Sequence, residues 1–197
     1  NLNAVPKMII TKNRSASGDW YTYHQAVGNT KTMLLNQTNA ASGADGSFWN
    51  NTSPTSSVFS VGGATAVNGN GNSIIAYVFA EKKGYSKFGS YTGNGNTDGT
   101  FVYTGFKPAF ILFKQTDGAR DWFIFDNKRN PNNVVDEQME ANTTSALGIS
   151  TSLDFTATGF KLRLSTAQLN SSGATYIYMA FAENPFVTST GVPATAR

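Results

Sequence analysis

The feature that most constrains the fold of this chain is a repeated spacing. Pro6 and Pro108, Lys12 and Lys114, Asp19 and Asp121, Trp20 and Trp122, Asn68 and Asn170, Gly71 and Gly173, and Ile75 and Ile177 each lie 102 positions apart. Phe79-Ala80-Glu81 and Phe181-Ala182-Glu183 keep the same offset. One offset that holds at both ends of a segment marks a repeated unit, here of about 100 residues and long enough for a small domain. The match weakens between residues 39–59 and 141–160, so insertions must cancel there. The expectation is two units, residues 1–84 and 85–197, although a single sandwich built from two halves would also use such a repeat.

Short β-branched and aromatic runs recur between turn clusters: MIITK (8–12), WYTYH (20–24), SVFSV (57–61), SIIAYVFA (73–80), FVYTGF (101–106), AFILFK (109–114), DWFIFD (121–126), FKLRL (160–164) and TYIYMAFA (175–182). Gly, Asn, Pro or Asp bounds nearly all of them, as in antiparallel strands. Charged residues make up only 14% of the chain beside 19 Gly, a balance that favours turns and strands over helices. The predicted class is all-β, two tandem antiparallel β-sandwich units of jelly-roll or concanavalin-like type. One or two helical turns are expected only in VVDEQMEA (134–141), where DEQMEA carries good helix formers.

The two copies differ in extent. Ahead of Pro108 the stretch KFGSYTGNGNTDGTFVYTGFK (87–107) reads as two strand segments around a Gly- and Asn-rich turn, whereas only five residues precede Pro6. Copy one therefore lacks its opening hairpin and should expose a sheet edge, an invitation to strand addition. Upstream sequence, the tail FVTSTGVPATAR (186–197) or a neighbouring subunit would complete it.

Composition excludes several classes of function. Without cysteine there is no disulfide framework, thiolate metal site or cysteine nucleophile. The fifteen Lys and Arg are scattered and the net charge is +3, which argues against a nucleic-acid surface. No apolar run is long enough to span a bilayer as a helix, and no cofactor motif occurs.

The segments PKMIITKNRS (6–15), YHQAVGNTK (23–31), FWNNTSPTSSVFSVG (48–62), FAEKKGYSKFGSYTGNG (79–95), TGFKPAFILFK (104–114) and YIYMAFAENPF (176–186) resemble a repeated module of bacteriophage tail-fibre-like and virion-associated proteins, especially of phages of marine bacteria. That module is similar in type to concanavalin-like and LamG-like sandwiches. The resemblance implies a virion or extracellular location and a structural, adhesive role. The partners implied are further copies or other virion proteins, joined by strand addition, and host-surface glycans. It carries no catalytic residues to transfer.

The candidate chemistry is sparse. Glu81 and Glu183 recur at strand ends, but glycoside hydrolysis needs two carboxylates roughly 5 to 9.5 Å apart, and equivalent positions in separate units would not supply that. They read as structural carboxylates, so no catalytic residue is assigned. His24, the sole histidine, is expected half-exposed on a strand and aligns with Asp126. Asn96 and Asp98 in NGNTDG (94–99) resemble half a calcium loop, but Gly105 stands where an EF-hand has its bidentate acid, and a tight hairpin turn is the expected use. Asp19-Trp20 and Asp121-Trp122 should cap turns and pack between sheets. Lys12 and Lys114 should snorkel from strand ends. For sugar binding, Trp49 with Asn50 and Asn51 fits a stacking ring flanked by amides. Lys128, Arg129 and Asn130 are the polar counterpart in copy two. The competing expectation is a core Trp49 with turn-forming asparagines. A virion module, a carbohydrate-binding module and a polysaccharide-degrading enzyme are the functions in contention, in that order.

Overall fold

The computed structural model describes residues 2–185. The expected role of the tail 186–197 lies outside the described residues. The chain divides into two compact units, Asn1–Glu81 with Gly118–Arg120, and Lys82–Asp117 with Asp121–Arg197, so the first ends three residues before the expected position 84. It is all-β with two antiparallel sheets.

The first unit holds β1 (Pro6–Asn13), β2 (Trp20–His24), β3 (Met33–Leu34) and β4 (Ile74–Ala80), with one-turn helices α1 (Gly46–Trp49) and α2 (Thr65–Asn68) in the long β3–β4 connection. Its sheet runs β3-β2-β1-β4. Asp45 caps α1 by accepting the Ser47 N–H at 2.8 Å, and Asn50 closes it at φ 52°. The turn delivers two aromatic rings to the sheet. Phe48 stacks on Tyr21 at 4.9 Å and Trp49 meets Tyr23 edge-on at 5.8 Å, over Ile9.

The second unit holds β5 (Ser86–Thr92), β6 (Phe101–Tyr103), β7 (Pro108–Gln115), β8 (Phe123–Asp126), β9 (Val135–Glu140), β10 (Gly148–Thr156), β11 (Gly159–Leu162) and β12 (Thr175–Ala182). The strand order is β5-β12-β7-β8-β9-β10-β11-β6. β9 joins two halves: Glu140 and Met139 face β8, while Gln138, Glu137 and Val135 face β10. The halves then fold together in a sandwich-like layer pair. Phe160 on β11 meets Phe113 on β7 at 5.2 Å, Tyr178 on β12 at 5.4 Å and Tyr91 on β5 at 6.0 Å, although β11 pairs with none of those strands. Phe113, Phe160, Leu153 and Tyr176 are all fully buried in the resulting core.

The 102-residue spacing reappears as strand register. Ile9↔Tyr23 and Ile10↔Thr22 in β1–β2 become Ile111↔Phe125 and Leu112↔Ile124 in β7–β8. Ile9↔Val78 in β1–β4 becomes Ile111↔Ala180 in β7–β12, and a register shift falls at the same place, between Pro6 and Met8 and between Phe181 and Ala182. Strand order β3-β2-β1-β4 maps onto β9-β8-β7-β12. Gly71 and Gly173 take φ of 75° and 77°, a left-handed turn where a Cβ is strained, which explains the recurring glycine.

Three expectations are corrected. VVDEQMEA is strand β9 rather than helix, because ladders to β8 and β10 satisfy its backbone and outweigh local propensity. SVFSV forms no strand. It lies opposite β11 in the repeat, and β11 pairs with β6, whose counterpart is absent from residues 2–81. GISTSLDFT (148–156), not expected as a strand, is β10. Among the described residues β4 is the last strand of its sheet, with Ala76 and Tyr77 exposed, whereas Tyr178 and Met179 on β12 are buried beside β5.

Candidate ligand site

The loop after β8 begins with a local knot. Asp126 Oδ1 accepts the N–H groups of Lys128 and Arg129 at 2.9 Å, and Oδ2 accepts the Arg129 Nε at 2.8 Å. Burial pushes its carboxyl up, but the Arg129 N–H and guanidinium outweigh that and hold it below the ordinary value. Arg129 is thereby turned inward.

Amide side chains set the rest of the loop. Asn130 donates to Asp136 at 3.0 Å and accepts the Glu137 N–H at 2.8 Å, pinning the loop to β9. Asn133 donates to the Phe155 carbonyl and accepts the Phe155 N–H, both at 2.9 Å, so one side chain takes the place of a strand partner on β10. Across the loop, Asn127 donates to Glu183 Oε1 at 2.8 Å, and Lys107 pairs with Glu183 Oε2 at 2.9 Å. The Lys107 contact holds the Glu183 carboxyl below its ordinary value.

Lys107, Asn127, Asn130, Asn132, Asn133 and Phe155 line an open recess of about 230 Å³. That is smaller than the roughly 300–1,000 Å³ of pockets for drug-sized ligands. It suits one small hydroxylated or anionic group. Asn132 is exposed and makes no side-chain hydrogen bond among the described residues, and Lys107 keeps 43% of its side-chain surface, so both are available to such a group.

A family model described as a domain of unknown function, DUF7483, matches residues 1–185. The chain belongs to the DUF7483 family. No curated protein and no solved structure matches it.

In this DUF7483 chain the expected binding residues separate. Trp49 is 1% exposed inside the core of its unit and offers no stacking face, which corrects its assignment to a sugar site. Asn50 and Asn51 are exposed at φ 52° and 48°, conformations that shape the turn after α1. Asn130 lines the recess, Arg129 is spent on Asp126, and Lys128 is exposed on the same loop. Lys107, Asn132 and Asn133 were missed. The signal for the last two was the run of asparagines around Pro131, which reads equally well as an ordinary turn.

The remaining candidates serve structure. Asp98 pairs with Lys161 at 2.7 Å, an ammonium where a cation would sit, and that contact lowers its pKa. Asn96 lends its N–H to the Asn94 side chain and its carbonyl to Asn170. Among the described residues, no group of three His, Asp or Glu side chains is placed to hold a metal. His24 is buried at 1% exposure rather than half-exposed, because it closes a turn: its Nδ1 accepts the Ala26 N–H at 3.2 Å, as Asp126 accepts that of Lys128. Lys114 does not snorkel; it is 1% exposed and donates to the Gln115 carbonyl at 3.0 Å. Glu183 is held by Lys107 and Asn127, and Glu81 belongs to the other unit.

Proposed function

We propose that this DUF7483 protein is a non-enzymatic structural and adhesion component of a bacteriophage virion, part of a tail fibre or surface decoration. It consists of two tandem β-sandwich units descended from one by duplication. The repeated strand order and register support the duplication, and the likeness of segments such as TGFKPAFILFK and YIYMAFAENPF to a phage virion module supports the setting.

The observation that carries the adhesion reading is the amide-lined recess of the second unit. Its asparagines are fixed by bonds to β9 and to the Phe155 backbone, while Asn132 and Lys107 face outward with hydrogen-bonding capacity to spare. Such a preset polar surface matches the hydroxyls or carboxylate of a host-surface sugar at low ordering cost. The carboxylates nearest the recess are engaged: Glu183 with Lys107 and Asn127, Asp126 with Arg129, Asp136 with Asn130. This supports binding over hydrolysis.

A glycan array probed with the full chain tests the reading. Binding to a restricted set of host-type glycans is expected, with loss in Asn132→Ala at unchanged melting temperature and in Lys107→Ala at temperatures where that variant remains folded. Binding that survives both substitutions, or turnover of a bound glycan, would refute it.

A further inference from the structure

Asparagine followed by glycine is prone to lose ammonia spontaneously, because glycine has no Cβ to keep its own amide nitrogen from reaching the preceding side chain. The chain holds three such pairs, Asn68-Gly69, Asn70-Gly71 and Asn94-Gly95. Two of them share one tetrapeptide, Gly-Asn-Gly-Asn, at 69–72 and 93–96. Any difference between those two in the folded chain comes from structure.

Asn94 is held on every side. Its Oδ1 accepts the Asn96 N–H at 3.0 Å and the Asn170 Nδ2 at 2.9 Å, and its Nδ2 donates to the Asp98 carbonyl at 3.0 Å. The Gly95 N–H, the nitrogen that would attack, donates to the Asn170 carbonyl at 2.9 Å. Asn68 ends α2, and its Nδ2, the group that would leave, donates to the Gly62 carbonyl at 3.1 Å.

Asn70 has none of these restraints. It is exposed, and neither its carboxamide nor the Gly71 N–H makes a hydrogen bond among the described residues. The turn is closed by the Asn72 N–H donating to the Gly69 carbonyl at 3.0 Å, with Gly71 at φ 75°. A Cβ on Gly71 would meet nothing within 4 Å, so the peptide link between Asn70 and Gly71 can rotate without displacing a neighbour. The second unit builds the same turn without an asparagine at this place. Ser172 and Gly173 occupy the matching positions, Gly173 has φ 77°, and the Ala174 N–H donates to the Ser171 carbonyl at 3.1 Å. The amide of Asn70 is therefore not needed to form the turn.

We propose that Asn70 is a self-modification site, at which the Asn70-Gly71 turn converts to aspartate and isoaspartate through a cyclic imide. The Gly71 nitrogen forms a bond to the Asn70 Cγ, the bond from Cγ to Nδ2 breaks, and Nδ2 leaves as ammonia with the proton that the Gly71 nitrogen gives up. Water then adds to either imide carbonyl and opens the ring, with no change of oxidation state. Opening at the side-chain carbonyl leaves an aspartate. Opening at the main-chain carbonyl threads the backbone through the former side chain and lengthens the turn before β4 by a methylene. Either product adds a carboxylate to the first unit. The inference does not depend on the glycan site.

The test holds the full chain in mildly alkaline heavy-oxygen water and maps modified asparagines by peptide fragmentation in a mass spectrometer. Asn70 should convert, with uptake of heavy oxygen, more than about tenfold faster than Asn94, which reacts only when its turn opens. Asn68 should lag as well. In concentrated urea Asn70 and Asn94 should convert at similar rates, since their neighbours in sequence are the same. Asn70→Ser, which copies the residue at position 172, should keep the melting temperature and abolish the fast release of ammonia. Asn94 or Asn68 keeping pace with Asn70 in the folded chain overturns the proposal. So does an Asn70 that converts only in urea, or ammonia release that is undiminished in Asn70→Ser.

Discussion

Asn142 donates its Nδ2 to Asp121 at 2.7 Å and accepts the Trp122 N–H at 2.7 Å, and Asn36 makes the same pair of bonds with Asp19 and Trp20, at 2.8 and 2.9 Å. The partners are 21 positions apart in one unit and 17 in the other, so the contact persists across an insertion. The asparagine thus repeats by role rather than by strict spacing. Asn36→Ala and Asn142→Ala should each destabilise their own unit by about 1–3 kcal/mol, the usual cost of stranding a partly buried donor. Denaturant melts monitored by amide exchange resolve the two units, and a cost below a few tenths of a kcal/mol in either would show that the bond contributes nothing there.

The same comparison predicts a difference between two other asparagines. Asn170→Ala removes bonds to Asn94, Asn96 and Leu164 from a fully buried position and should cost about 2–4 kcal/mol, the sum of several buried bonds. Asn68→Ala removes one bond near solvent and should cost at most about 1 kcal/mol. Equal costs would mean that the hairpin contacts of Asn170 are not energetically significant.

Trp49→Ala should destabilise the first unit by about 3–5 kcal/mol, as expected for emptying a packed aromatic site. Glycan binding at the second unit should survive at temperatures where the variant remains folded. Phe160→Ala should have a similar cost in the second unit, since its ring joins β11 to β7 and β12. Thermal melts of both variants check the pair. A Trp49→Ala protein of normal stability would mean that the indole is not a core element.

Acid should weaken the second unit. Asp98, Asp126 and Glu183 all have folded-state pKa values below their ordinary 3.8, 3.8 and 4.5. The unfolded chain therefore takes up protons first as pH falls. The stabilisation from these groups is complete above about pH 4.5 and is lost progressively as pH drops through the lowered folded values. Because Asp98 and Glu183 are largely solvated, salt should shrink their share. Urea midpoints between pH 7 and pH 3 measure the trend. Lys107→Met should flatten the part due to Glu183, and an unchanged slope would contradict the pairing.

Most of the strand content was legible from alternating apolar runs and their Gly or Asn boundaries, and the repeat spacing anticipated the correspondence of β1, β2 and β4 with β7, β8 and β12. Local pattern failed where partners decide. DEQMEA has the composition of a helix, yet residues on both sides of it in space offer hydrogen bonds that only a strand can use. SVFSV has the composition of a strand, yet among the described residues no strand pairs with it. At the recess, Asn130 was visible as a polar loop residue, but Lys107 and Glu183 reach the loop from elsewhere in the sequence, and only folding assembles them.

The sequence alone determined the all-β class and the constant 102-residue offset, because side-chain alternation and spacing are properties of order along a chain. Tertiary structure decided which aromatic rings face water. Trp49 and Asn50 are adjacent, and only the one-turn helix capped by Asp45 sends the first into the core and leaves the second in solvent. It also decided which asparagine of a repeated pair is buried: Asn170 lies among Asn94, Asn96 and the Leu164 carbonyl, whereas Asn68, bonded to the Gly62 carbonyl, is exposed.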